Sequence, residues 1–188
     1  MMRKIGLLGG TFDPPHIGHL KIAKHVYTQL SLDEIWFIPT YEPPHKLNAI
    51  ASPKERLDML KLLIDGYDYF FISTIEYEMK GKSYTIDTIK QFKKDFPTDQ
   101  FYFIIGGDMV DYLPNWYKID ELMSLIKFVG IKRKGFEIND ESNVAIIEMD
   151  LIDVSSTQIR KQLKNGESPS GLPENILNYI RENGLYER

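Results

Sequence analysis

The chain has 188 residues and a net charge of −4 at neutral pH, with 43% hydrophobic residues, 27% charged residues and no cysteine. That length suits one α/β domain with a sizeable core, and the mild acidity argues against a nucleic-acid or membrane-surface role, which calls for a basic patch. The same acidity means that any polyphosphate site must draw its positive potential from helix ends and a few placed cations; without cysteine, disulfides, thiolate metal sites and cysteine nucleophiles are excluded.

Taken in chain order, Lys4–Leu8 is a first short apolar run. It is too short for the core of a signal peptide, and no stretch approaches the roughly 20 residues of a membrane span, so a cytoplasmic protein with no membrane partner is expected. Gly9-Gly10 closes that run, and Leu20, Ala23, Val26, Tyr27 and Leu30 give helical spacing over Ile17–Leu30. A second strand is expected at Glu34–Pro39 and an irregular stretch at Thr40–Ala51. Ser52-Pro53-Lys54-Glu55 starts a helix with a capping box and a proline at the first helical position. Met59, Leu60, Leu63 and Ile64 mark its core face. Phe70–Ile75 reads as a strand, Tyr84–Lys94 as a helix and Phe101–Ile105 as a strand. Gly106–Lys118 looks irregular, and Lys127–Ile131 and Val144–Met149 read as strands. Ser155-Ser156-Thr157-Gln158 is a second capping box, opening a helix to about Lys164, and a last helix over Pro173–Asn183 stops at Gly184.

Apolar runs alternating with amphipathic segments predict a Rossmann-like, doubly wound α/β fold. The expected form is a mainly parallel sheet with helices on both faces, one domain over residues 1–188. With strands in the order 3-2-1-4-5, Gly9-Gly10 and Gly106-Gly107 face each other across the crevice where such sheets bind ligands.

Two motifs carry chemistry. In Gly9-Gly10-Thr11-Phe12-Asp13-Pro14-Pro15-His16-Ile17-Gly18-His19-Leu20, the glycines let the backbone approach a phosphate and the helix offers its amino-terminal N–H groups. His16 and His19, three apart, share one helix face. The bland reading has Asp13 as a helix cap and the histidines on the surface, a reading better suited to the isolated His25. Zinc ligation by the pair is disfavoured, because no third His or Cys is near in sequence. In Val154-Ser155-Ser156-Thr157-Gln158-Ile159-Arg160, hydroxyls open a helix and Arg160 follows one turn in, an arrangement that can grip phosphate. Alone, a plain cap with a surface arginine would be the favoured reading; alongside the first motif the balance reverses.

Together these motifs resemble the nucleotidyltransferase superfamily marked by H-x-G-H near the start and S-S-T-x-x-R near the end. Within it the chain is most similar to the bacterial nicotinate-nucleotide adenylyltransferase family, also through Pro43-Pro44-His45-Lys46, Ser83-Tyr84-Thr85, Gly106-Gly107-Asp108 and Trp116. The resemblance implies transfer of the adenylyl group of ATP to nicotinate mononucleotide, giving nicotinate adenine dinucleotide and pyrophosphate in NAD biosynthesis. It implies a catalytic set of His16, His19, Lys46 and Arg160. The ATP site would use Gly9, Gly10, Thr11, Phe12, His16, His19, Gly106, Asp108, Arg133, Ser155, Ser156, Thr157 and Arg160. The nicotinate mononucleotide site would use Lys46, Tyr84, Thr85, Asp108, Trp116 and Tyr117. Mg2+ would accompany ATP, coordinated mostly by phosphate and water, with no dedicated protein ligands. No nucleic-acid partner is implied, and a homodimer is compatible with the sequence.

Several assignments keep competing readings. Asp108 could receive ribose hydroxyls or cap the following helix. Arg133 could flank the nucleotide or belong to a solvated turn with Lys132 and Lys134. Trp116 could stack on a pyridine ring or pack beneath its loop. Pantetheine-phosphate adenylyltransferases share the motifs, but would not call for Trp116 with Ser83-Tyr84-Thr85. A non-catalytic nucleotide sensor would not need all four phosphate-handling residues.

Overall fold

Strands buried on both faces must be apolar almost throughout, and the runs expected to be strands pair into one six-stranded sheet in the computed structural model. The structure describes residues 2–42, 49–79, 84–133, 144–150 and 153–187, without the side chains of Asp108 and Arg133. The strands are β1 (Lys4–Gly10), β2 (Glu34–Pro39), β3 (Phe70–Ile72), β4 (Gln100–Gly106), β5 (Lys127–Arg133) and β6 (Val144–Met149). Their order is β3-β2-β1-β4-β5-β6, and every pairing is parallel.

The helices are α1 (Ile17–Gln29), α2 (Pro53–Ile64), α3 (Ile75–Met79), α4 (Thr85–Asp95), α5 (Gly107–Tyr112), α6 (Ile119–Leu125), α7 (Ser156–Lys164) and α8 (Glu174–Glu182). They divide between the faces of the sheet according to the alternation of side chains along each strand. Leu8, Ile35, Phe37, Ile104 and Val129 point into the core covered by α1, α2, α7 and α8. Ile5, Leu7, Trp36, Ile38, Phe101, Phe103 and Phe128 point into the core covered by α3 to α6. No helix among the described residues is long and apolar enough to cross a membrane.

Three expectations change. The run Phe70–Ile75 splits, with β3 ending at Ile72 and Ile75 buried as the first residue of α3. A short apolar run does not by itself distinguish a strand from a buried helix start. Gly106–Lys118 is more regular than expected, holding α5 and a 3-10 turn over Leu113–Asn115. Each is too short to display a period. The second capping box is half formed: the Ser155 hydroxyl accepts the Gln158 backbone N–H at 3.2 Å, but the Gln158 side chain meets that hydroxyl instead of the backbone.

β1 and β4 are neighbours, with Leu8 level with Ile104, so Gly9-Gly10 and Gly106-Gly107 end adjacent strands. The carboxyl-terminal crest between them positions the candidate site. At the opposite end of the sheet, Arg3 joins Asp99 (2.6 Å) and Glu34 (3.0 Å).

Candidate active site

The first motif folds around a histidine cap. His16 is the N-cap of α1, and its Nδ1 accepts the Gly18 N–H at 3.2 Å. His19 Nδ1 accepts the His16 N–H at 3.2 Å, so the two imidazoles form a capping box usually built from Ser and Glu. The rings lie 3.8 Å apart between centroids. An Nδ1 that accepts a backbone N–H carries no proton, so in the neutral ring the proton sits on Nε2. Both histidines are thereby locked as Nε2–H donors. Burial (His16 is 6% exposed) pushes the His16 pKa down to about 4, keeping that ring neutral at physiological pH.

Gly18 is required by the box. A Cβ there would lie 2.9 Å from the His16 imidazole and 3.0 Å from Val154 Cγ1. At the end of β1, a Cβ on Gly10 would lie 3.0 Å from the Phe12 ring, which is buried, adopts φ 51° and packs edge-on to His19. Gly9 faces the other side of the sheet, above Phe103.

The second motif docks directly on the first. The Ser156 hydroxyl donates to the Pro14 carbonyl at 2.9 Å, and Arg160 Nη1 donates to the Asp13 carbonyl at 2.7 Å. Arg160 Nη2 reaches Thr157 Oγ1 at 3.4 Å. The segments that open α1 and α7 are thus joined, Asp13 and Pro14 ahead of α1 meeting Arg160 and Ser156 of α7. Two positive helix ends, neutral N–H donors and one cation suit a polyphosphate. Ser156 differs from expectation in detail, because its proton is committed to Pro14.

Asp13 is a buried hub and no helix cap. Its Oδ1 accepts from Tyr186 Oη (2.6 Å) and Ala51 N–H (3.1 Å), and its Oδ2 accepts from Ile50 N–H (2.9 Å). Arg56, with no exposed surface, donates to the carbonyls of Thr11 (2.7 Å), Thr40 (2.8 Å) and Tyr41 (3.1 Å). The two ends of the 40–51 segment are therefore fastened to the first motif. Lys46, with Pro43, Pro44 and His45 around it, lies outside the described residues, as does Ser83.

On the other face, α4 begins at Thr85 with Tyr84 as an N-cap that makes no side-chain bond. Tyr84 and Tyr117 are both exposed, their rings 4.8 Å apart. Trp116 is partly exposed and packs edge-on against Phe103 (5.9 Å) and Phe128 (6.0 Å). This is the packing alternative, yet Phe103 also underlies Gly9, so Trp116 stays beside the crest. Gly106 is the N-cap of α5, and Asp108 falls inside the first turn, away from the capping position. Arg133 is the last residue of β5. His25 touches the Glu148 carbonyl at 3.2 Å, remote from the pair.

Sequence reading missed Arg56 and Tyr186. For Arg56 a signal existed: a basic residue opens the buried face Arg56, Met59, Leu60, Leu63, at i, i+3, i+4 and i+7. Tyr186 carried none, because its partner is 173 residues away.

Residues 7–162 match the sequence model of the cytidylyltransferase-like family. A protein of Bacillus subtilis (strain 168) named "Nicotinate-nucleotide adenylyltransferase" is 47% identical over 188 residues, covering 99% of this chain and 100% of the relative. A relative from Bacillus licheniformis, named "Probable nicotinate-nucleotide adenylyltransferase", is 48% identical with the same coverage. Among solved structures, the "Plasmodium falciparum nicotinic acid mononucleotide adenylyltransferase complexed with NaAD" superposes with a TM-score of 0.83 at 21% identity, covering 98% of each chain, a likeness of fold.

Proposed function

The chain belongs to the cytidylyltransferase-like family and, within it, to the nicotinate-nucleotide adenylyltransferases, and from its site we infer that it transfers the adenylyl group of ATP to nicotinate mononucleotide. One observation supports this reading: the Ser156–Pro14 and Arg160–Asp13 bonds join the start of α7 to the segment that leads into α1, and so bring the motif that carries Arg160 against the motif that carries His16 and His19.

The phosphate of the mononucleotide attacks the α-phosphorus of ATP, a new P–O bond forms, and the bond from that phosphorus to the α,β-bridging oxygen breaks. Pyrophosphate leaves with the electron pair. Such transfer needs positioning and charge stabilisation more than covalent help. His16 and His19 donate from Nε2–H to phosphate oxygens as charge moves toward the leaving group. Arg160, Ser155, Thr157 and the backbone N–H of Ser156 hold the β- and γ-phosphates, Lys46 adds a second cation, and Gly9 to Phe12 line the backbone approach. Asp108 and Arg133 serve the ribose and adenine ends.

The pyridine ring lies on the Trp116 side of the crest, with Tyr84, Thr85 and Tyr117 around its carboxylate. A site that supplies N–H donors to a carboxylate leaves donors unpaired against an amide. Mg2+ accompanying ATP would supply neutralisation of phosphate charge, and would be held by phosphate oxygens and water rather than by a protein cage. Among the described residues, no group of three or more His, Cys, Asp or Glu is placed to hold a metal ion.

Pyrophosphate release from ATP and nicotinate mononucleotide tests the assignment, and a folded protein that releases none with any pyridine mononucleotide overturns it. Equal kcat/KM for nicotinate and nicotinamide mononucleotides would overturn the carboxylate reading alone.

A further inference from the structure

Tyr186 joins the site from the far end of the chain. Its ring is 5% exposed, within the core under α1, α2, α7 and α8. Its backbone is left-handed, φ 65°, an unfavourable conformation for a residue with a Cβ. A tail without a task would relax to an extended conformation. This one is held by its buried ring and by the 2.6 Å bond from its hydroxyl to Asp13 Oδ1. Burial raises the phenol pKa well above its ordinary value, so the group is a donor at any physiological pH.

Asp13, also 5% exposed, has both oxygens occupied by Tyr186, Ala51 and Ile50. Arg160 Nη1 stands 3.9 Å from Asp13 Oδ2 and bonds the Asp13 backbone carbonyl instead, at 2.7 Å. A buried carboxylate beside a guanidinium ordinarily draws it into a direct, often two-pronged pair. Here three neutral donors satisfy the carboxylate, and the guanidinium pairs with it only at 3.9 Å, without a direct hydrogen bond.

We propose that Tyr186 is a positioning residue of the adenylyl-transfer site: its hydroxyl saturates Asp13, so that the carboxylate does not capture Arg160 and the guanidinium remains available to the triphosphate. The idea rests on the assignment of Arg160 to ATP made above. Without the hydroxyl, Asp13 loses its shortest hydrogen bond and turns toward Arg160, whose outward N–H groups are then spent on the carboxylate.

Tyr186→Phe keeps the ring and removes only the donor. Leu185→Ala is its companion, since it trims partly buried packing beside the same core and leaves the hydroxyl in place. ATP affinity is read by titration calorimetry with Mg2+ present, together with the two KM values, the melting temperature and amide exchange at Ile50 and Ala51. In Tyr186→Phe, ATP binding weakens about ten-fold, the KM for nicotinate mononucleotide stays within about two-fold, and exchange at Ile50 and Ala51 accelerates. Leu185→Ala lowers the melting temperature without weakening ATP binding. The proposal is overturned if Tyr186→Phe binds ATP like the wild type, whatever its melting temperature, or if both variants weaken ATP alike, which would mean general loosening. A wild type that binds ATP but releases no pyrophosphate would overturn the assigned reaction and still leave this comparison readable.

Discussion

A neutral imidazole that accepts a backbone N–H at Nδ1 has one place to take up a second proton, and doing so removes the cap. For His16 this adds to burial, which already holds its pKa at about 4 against an ordinary 6.5. Between those values the unfolded chain binds more protons than the fold, so stability rises with pH across the window. Read downward, stability is lost as pH falls from 6.5 to about 4, and below that this group contributes no further loss. The full difference is on the order of 3 kcal/mol. Denaturant unfolding at a series of pH values should show this slope, and His16→Asn, which keeps an N-cap, should flatten it. The role proposed for His19 is that of a donor to the transition state. His19→Ala is expected to lower kcat by about 100-fold or more while the KM for ATP changes only a few-fold. A change confined to KM would contradict that role.

At the scale of elements, the motif is a contest between propensity and packing. An alanine in place of a helical glycine ordinarily stabilises by about 0.4–1 kcal/mol. At Gly18 the added methyl meets the His16 ring at 2.9 Å and Val154 at 3.0 Å, so the imidazole must rotate away from the Gly18 N–H. Gly18→Ala should therefore lower turnover by about 100-fold, the cost of displacing a reacting-site group by about 1 Å, with the melting temperature little changed. A fully active Gly18→Ala would show that the ring has room to adjust. These elements were largely legible in advance, because β2 and β6 are predominantly apolar runs and α2 announces itself with Ser52, Pro53 and Glu55. What stayed hidden was short or nonlocal. Ile75 begins a helix within an apolar run, and α5 is a six-residue helix. The Asp13 hub joins strands of chain that no local pattern connects.

For the whole molecule, the two ends of the sheet do different work. The candidate site gathers at the carboxyl-terminal crest, while the opposite end is closed by Arg3 clasping Asp99 and Glu34 and lying 5.8 Å over Trp36. Arg3→Ala leaves the buried Asp99 carboxylate without its charged partner, at a cost of about 2 kcal/mol after allowance for the partial exposure of Arg3. The midpoint of denaturation should shift accordingly, and kcat/KM well below that midpoint should stay within about two-fold of wild type. A large loss of activity in this variant would mean that the two ends are coupled. The bonds at Asp13 carry a different consequence. They span 147 residues to Arg160 and 173 to Tyr186, separations that slow a folding search because long loops must close before any contact repays them. During synthesis, a nascent chain that already displays its histidines still lacks two of the partners of Asp13, Arg160 and Tyr186. If Tyr186 positions the site as proposed, ATP binding by the nascent chain waits until residues 160 and 186 have both been made and packed against Asp13.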